Sequence, residues 1–87
     1  MAYRNKKEDP ENKVYRNPLG IIFSQIGSEI KVYLKTGEIY TGTLTKVDNY
    51  MNLLLENTIE EHGDKTKRYG KALIRGNNIL MIKVENV

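Results

Sequence analysis

Several residue types on which proteins build specialised chemistry are missing or scarce in this chain of 87 residues. It has no cysteine, which excludes disulfides and thiolate metal sites and fits a reducing compartment. The single histidine, His62, stands in a turn without carboxylates at ligand spacing, so neither a metal site nor a catalytic base is expected there. No nucleophile–base pair, phosphate loop or dinucleotide motif occurs. We therefore expect a protein that is not an enzyme and needs no cofactor.

Long apolar runs are also missing. No segment approaches the roughly eighteen residues that a membrane span needs, and no signal-peptide core follows the start. We therefore expect no membrane partner and a cytoplasmic location, or a nuclear one if the source is eukaryotic. The net charge of +3 and the pI near 9.2 mildly favour an anionic partner, nucleic acid first.

The chain divides into an arm and one domain. Residues 1–17 are polar, charged and without periodicity, which predicts a flexible arm that is either solvated or in contact with RNA or protein. Residues 18–87 form the domain, and Asn17-Pro18 has the form of a helix N-cap followed by a proline in the first turn. One apolar stripe then predicts a short helix that Gly27 ends, with the stripe made of Leu19, Ile22, Phe23 and Ile26.

Alternating apolar segments separated by Gly-containing turns predict five antiparallel strands after the helix. Their predicted bounds are Ser28–Lys35, Glu38–Val47, Met51–Glu60, Thr66–Ile74 and Ile79–Val84. Gly42 lies inside the second strand, where a sharp bend is the expected reason for a glycine. The expected fold is mainly β, with a short N-terminal helix followed by a strongly bent five-stranded sheet that forms a small open barrel. Two free edges remain, and a closed ring of subunits would hide both.

The junction between the second and third strands is unusually polar. Asp48-Asn49-Tyr50-Met51-Asn52 crowds an acid, an aromatic ring and an amide between two strong strands. Asp48 and Asn52 could simply cap a tight turn, as Asx residues often do. Tyr50 could be an exposed loop aromatic, and Arg75 could pair with an acid such as Glu56 or Asp48. From the residues alone these alternatives stay open.

Two motifs stand in order along the chain, separated by a charged turn. The second is Ile74-Arg75-Gly76-x-x-Ile79. The first consists of Gly37, Gly42, Leu44, Asp48, Met51, Asn52, Leu53 and Leu55. Together they resemble the two signatures of the Sm/LSm family of RNA-binding proteins, of the archaeal and eukaryotic type, and the likeness covers about Leu19 to Val84. The resemblance implies a ring, most often of seven subunits, that binds uridine-rich single-stranded RNA around its central opening. We expect a homoheptamer, with a mixed ring as the alternative, and a role in RNA processing, decay, chaperoning or ribonucleoprotein assembly.

The resemblance also implies a base-binding pocket. Tyr50 and Arg75 take the positions of stacking side chains, Asn52 that of the amide that reads the base, and Asp48 that of an acid that orients the amide. Gly76 leaves room for the nucleotide and offers its backbone N–H.

Asn77 takes a position where an aspartate is often found, and many archaeal relatives have a histidine where this chain has Tyr50. An amide that flips freely could satisfy uracil or cytosine. We therefore hypothesise that Asp48 selects uracil by accepting a hydrogen bond from the amide of Asn52. The alternative function is a structural ring that holds protein partners, with incidental RNA binding.

Overall fold

One short helix and five antiparallel strands make up residues 18–84, the part of the chain that the computed structural model describes. Helix α1 spans Pro18–Phe23, and strands β1 to β5 span Glu29–Leu34, Ile39–Val47, Leu53–His62, Lys65–Ile74 and Ile79–Lys83. The strand order is β4-β3-β2-β1-β5, so β4 and β5 are the two edges. The expected helix followed by a bent five-stranded antiparallel sheet is confirmed. The predicted arm, residues 1–17, lies outside the described residues, and within them no helix is long and apolar enough to cross a membrane.

The helix is shorter than the sequence predicted. It ends at Phe23, and turns then lead through Gly27, whose φ is +94°, into β1. Ile22 is buried in the core, but Phe23 and Ile26 are exposed, so the prediction of one continuous apolar stripe was wrong. The hydroxyl of Ser24 donates to the carbonyl three residues earlier, a local bond that competes with helix continuation.

The core is a small aliphatic cluster that joins α1 to the first four strands. On β3 the side chains alternate as predicted, because Leu53 and Leu55 are buried whereas Leu54 is only half-buried. Burying one such side chain stabilises the fold by roughly 1.5–3 kcal/mol. The fully or nearly buried members are Ile22, Ile30, Val32, Leu44, Leu53, Leu55 and Ile74.

The sheet bends along one line that crosses β2, β3 and β4. On β3 the buried position passes from Leu55 to Thr58, and Asn57 between them has a left-handed backbone with φ +52°. The register between β2 and β3 shifts at Gly42, and Gly70 on β4 lies opposite Asn57. An extra residue on one strand of a pair bends that strand and changes which side chains face inward. The predicted bend therefore comes from a β-bulge flanked by glycines.

Gly42 is needed at the bend for a second reason, which is close approach. A Cβ at this position would lie 2.9 Å from the backbone carbonyl oxygen of Glu56 and 3.1 Å from Oγ1 of Thr58. The backbone oxygen cannot move away without disturbing the β2–β3 pairing. At Gly70 a Cβ would meet nothing within 4 Å, so there is room for a side chain at Gly70 but not at Gly42.

This difference gives a test of the bend. Gly42→Ala should lower the free energy of unfolding by about 1–3 kcal/mol, because the added methyl group overpacks the β2–β3 contact. Gly70→Ala, the matched control, should be neutral or slightly stabilising, because it only restricts the unfolded chain. Urea unfolding at equal protein concentration measures both. Equal destabilisation by the two substitutions would show that the close approach does not matter.

Candidate functional site

The residues predicted to bind a base lie on two loops that meet at one end of the sheet. One loop, residues 48–52, joins β2 to β3, and the other, residues 75–78, joins β4 to β5. Leu53 and Ile74 are direct partners on β3 and β4, so the two loops leave neighbouring strands side by side. The structure thus brings together residues that are more than twenty positions apart in the sequence. These residues are Asp48, Tyr50 and Asn52 on the first loop and Arg75, Gly76 and Asn77 on the second.

Asp48 organises the first loop through both of its carboxylate oxygens. Its Oδ1 accepts the backbone N–H of Tyr50 at 2.8 Å and that of Asn52 at 3.0 Å. Its Oδ2 accepts from Nδ2 of Asn52 at 2.9 Å. The first of these bonds is an Asx turn, so the capping role left open by the sequence is real. The last bond orients a side chain, which capping alone does not require.

These donors keep Asp48 charged. The hydrogen bond from the Asn52 side chain is the largest cause that lowers the pKa of the Asp48 carboxyl group below its usual value, against a smaller opposing effect of desolvation. The backbone N–H groups of Asn52 and Tyr50 act in the same direction, as does the positive charge of Arg75. Arg75 therefore lies near enough to Asp48 to act on it electrostatically.

The Asn52 amide is held from both sides. Besides its bond to Asp48, its Oδ1 accepts the backbone N–H of Gly76 at 2.8 Å. A carboxylate can only accept and a backbone N–H can only donate, so these two partners admit one orientation of the amide. The family resemblance implies that the N–H of Gly76 is available to a nucleotide. In the structure this N–H instead donates to Asn52 and fixes its amide.

Gly76 is also required by the contact between the two loops. A Cβ there would lie 2.0 Å from the carbonyl oxygen of Tyr50 and 2.9 Å from the carbonyl carbon of Met51. Any side chain at Gly76 would push the loops apart and break the bond to Asn52. The contact between the loops therefore requires a glycine at position 76 whether or not a ligand also needs the room.

Met51 is a site residue whose role the sequence did not reveal. It was predicted to begin the third strand, but that strand starts at Leu53, and Met51 sits in the loop with φ +64°. Its half-buried side chain packs on the core, while its neighbour Tyr50 points into solvent. Left-handed backbone in a residue other than glycine is strained and needs support from its surroundings. Anchoring Met51 in the core supplies that support and turns Tyr50 outward.

What remains free is a set of groups suited to a flat polar ligand. The side chain of Tyr50 is 82% exposed, and Arg75 and Asn77 are exposed as well. Asn52 keeps one N–H and one carbonyl lone pair after its bonds within the protein. A fixed amide beside an aromatic ring and a guanidinium group can pair with the edge of a nucleobase and stack on its face.

His62 lies away from these loops, exposed at the end of β3. Within residues 18–84 no three or more His, Cys, Asp or Glu side chains are grouped so that they could hold a metal ion.

The sequence is similar to known proteins over most of its length. The family model of the LSM domain matches residues 21–84 of this chain. The U6 snRNA-associated Sm-like protein LSm6 of Chaetomium globosum is 41% identical over 71 residues, which are 80% of this chain and 87% of that protein.

Two solved structures share the fold. The Sm protein of Pyrococcus abyssii in complex with a uridine heptamer superimposes with a TM-score of 0.71 and 34% identity, over 76% of this chain and 94% of that one. A heptameric archaeal Sm protein superimposes with a TM-score of 0.70 and 28% identity, over 77% of this chain and 98% of that one. With the domain match and the fungal relative, these likenesses show that the chain belongs to the LSM domain family of Sm-like RNA-binding proteins.

Proposed function

We propose that this chain is a non-enzymatic subunit of a ring that binds uridine-rich single-stranded RNA around its central opening. The observation that carries the proposal is the Asn52 amide, fixed between Asp48 and Gly76 beside the exposed Tyr50 and Arg75. A solved relative holds a uridine heptamer, which supports the same ligand class here. The fungal relative is named for its association with U6 snRNA, which favours a role in RNA processing or ribonucleoprotein assembly.

The fixed amide supports uracil over cytosine. Uracil offers a donor at N3 and an acceptor at O4, which match the free carbonyl lone pair and the free N–H of Asn52. Cytosine reverses both groups and would need the amide to flip. A flipped amide would set its oxygen against the Asp48 carboxylate and its NH₂ against the N–H of Gly76, and both contacts are repulsive.

Stacking on each base and repetition of the pocket around the ring supply the rest of the affinity for RNA. A base that stacks on Tyr50 or Arg75 gains roughly 1–3 kcal/mol per contact. One such pocket is weak, but copies around a ring raise the effective concentration of the next nucleotide, so a U-tract binds far more tightly than one uridine.

The free edges of the sheet support a ring. Leu73 on β4 is 67% exposed, and Leu80 and Met81 on β5 are 68% and 51% exposed. Pairing β4 of one subunit with β5 of the next would cover these side chains and satisfy both open edges. A heptameric archaeal relative with this fold supports a ring of seven subunits, either identical copies of this chain or a mixed ring. Cytoplasm, or the nucleus of a eukaryotic cell, is the compartment we propose for it.

Base selection can be tested at Asp48. Asp48→Asn should reduce the preference for oligo-U over oligo-C by about 1–3 kcal/mol, because the amide of Asn52 can then turn over. Fluorescence anisotropy titrations of both oligonucleotides measure the ratio, and Asp64→Asn, an exposed turn residue, controls for the loss of one charge. Equal loss for both oligonucleotides would contradict the role of Asp48. A wild-type ring that binds neither one would favour the protein scaffold instead.

Stacking can be tested at Tyr50. Tyr50→Ala should weaken oligo-U binding by roughly 1–3 kcal/mol per base, whereas Tyr50→Phe should retain most of the affinity because the ring remains. Thermal unfolding should barely change in either variant, since the side chain is 82% exposed. If alanine and phenylalanine bind equally well, Tyr50 does not stack on the base.

The lowered pKa of Asp48 predicts a pH dependence of stability. A carboxyl group whose pKa falls on folding stabilises the fold at any pH above its pKa in the unfolded chain. This contribution is lost as the pH drops through its pKa in the folded protein. The difference in melting temperature between the wild type and Asp48→Asn should therefore be constant from pH 7 to about pH 4 and shrink at lower pH. Thermal melts across that range measure it. An unchanged difference down to the acid limit would show that the Asp48 bonds do not favour its charged form.

A further inference from the structure

The two edges that the proposed ring would pair are both basic. Edge strand β5 carries one charged side chain, Lys83, and no acid. Edge strand β4 carries four cations and no acid, namely Lys65, Lys67, Arg68 and Lys71. A junction between two copies of this chain would therefore bring together pairing strands that hold cations only.

The order of residues along the edges decides where these charges meet. Strand β4 begins with its basic half and ends with Ala72, Leu73 and Ile74, whereas β5 begins with apolar residues and ends with Lys83. Antiparallel pairing sets the end of one strand against the start of the other. The apolar halves then match, but Lys83 of each copy faces the basic half of β4 in the next.

Acids on the neighbouring strand lie directly opposite only some of the β4 cations. Lys67 and Lys71 lie directly opposite glutamates of β3, but Lys65 lies opposite His62 and Arg68 opposite Ile59. One of these glutamates, Glu60, also accepts a hydrogen bond from the Tyr69 hydroxyl at 2.7 Å. Within the described residues these two cations thus have no acid directly opposite them, and Glu60 and Glu61 on the adjacent strand are only their diagonal neighbours. An incoming strand is the other place from which an acid can reach them.

We propose that the β4 edge selects a neighbouring LSM-domain subunit that carries an acidic side chain where this chain has Lys83, in preference to a second copy of itself. The inference rests on the edge-to-edge ring proposed above. An exposed like charge across a junction lowers the association constant of that junction by roughly a factor of two, and an opposite charge raises it by about as much. In a ring of seven junctions such factors multiply in the association constant of the whole ring, to roughly a hundred for each sign of charge. Reversing the sign of the charge then changes the subunit concentration at half assembly by roughly fivefold.

Charge reversal at Lys83 tests the selection, because Lys83→Glu presents an acidic edge on an otherwise identical chain. Light-scattering mass against protein concentration should show that the wild type assembles better at about 500 mM salt than at about 50 mM, where its charges are less screened. Lys83→Glu should assemble at a subunit concentration roughly fivefold lower than the wild type at low salt, and salt should weaken it. Lys46→Glu, an exposed position on the central strand β2, should behave like the wild type.

Two results would overturn the inference: a wild-type ring that salt weakens, or a Lys83→Glu variant that assembles no better than Lys46→Glu. The first would mean that an attraction dominates the homomeric junction, for which the sequence offers Glu85, outside the described residues.

A Leu73→Asp variant distinguishes failure of the charge selection from failure of the edge-to-edge ring itself. Leu73 is 67% exposed, so the fold should persist, which circular dichroism checks. If Leu73→Asp does not change the mass, the edge-to-edge ring is wrong. If it breaks the ring while Lys83→Glu has no effect, only the charge selection is wrong.

Discussion

The amide of Asn52, held between a carboxylate and a backbone N–H, is the contact on which the site depends. It joins loops that begin at residues 48 and 75, and it lasts only while β3 and β4 stay in register from Leu53 and Ile74 outward. Gly76 allows the loops to touch, and Asp48 fixes which end of the amide faces out. Shifting the register by one residue would turn side chains to the other face and separate these partners. The base selection that we propose for this site would therefore depend on strand pairing.

The bend that shapes the sheet is maintained at some energetic cost. Asn57 adopts a left-handed backbone, and the hydroxyl of Thr58, although buried, has no hydrogen-bond partner within residues 18–84. A buried polar group without a partner destabilises a fold by about 1–3 kcal/mol. A flat sheet would avoid both features, but it would not wrap around the small aliphatic core. The bend curls the sheet while leaving β4 and β5 as free edges, which is the geometry that a ring of subunits needs.

Local sequence patterns predicted the features that local forces determine. The alternation of Leu53 and Leu55 gave the inward face of β3, and the glycine after the helix marked a residue with positive φ. The five strands followed from the same patterns, and the family signatures pointed to the candidate site residues that the structure brings together. The patterns missed what distant contacts determine. The need for Gly76 comes from the carbonyl of Tyr50, and the loop position of Met51 comes from its anchor on the core. The packing of the helix on the sheet is another such contact, because it buries Ile22 but leaves Phe23 and Ile26 exposed.

Turn capping by Asp48 explains part of the site but not all of it. A cap accounts for the bonds from Asp48 to the backbone N–H groups of the loop, and those bonds would be equally useful in a protein without a ligand. It does not account for an amide held rigidly with one donor and one acceptor left over, nor for a tyrosine turned into solvent beside it. Folding alone would favour burying that ring, since an aromatic side chain in water contributes little to stability. The strained backbone of Met51 and the outward position of Tyr50 therefore add nothing to the stability of the loop, and they fit the stacking role that we propose for Tyr50.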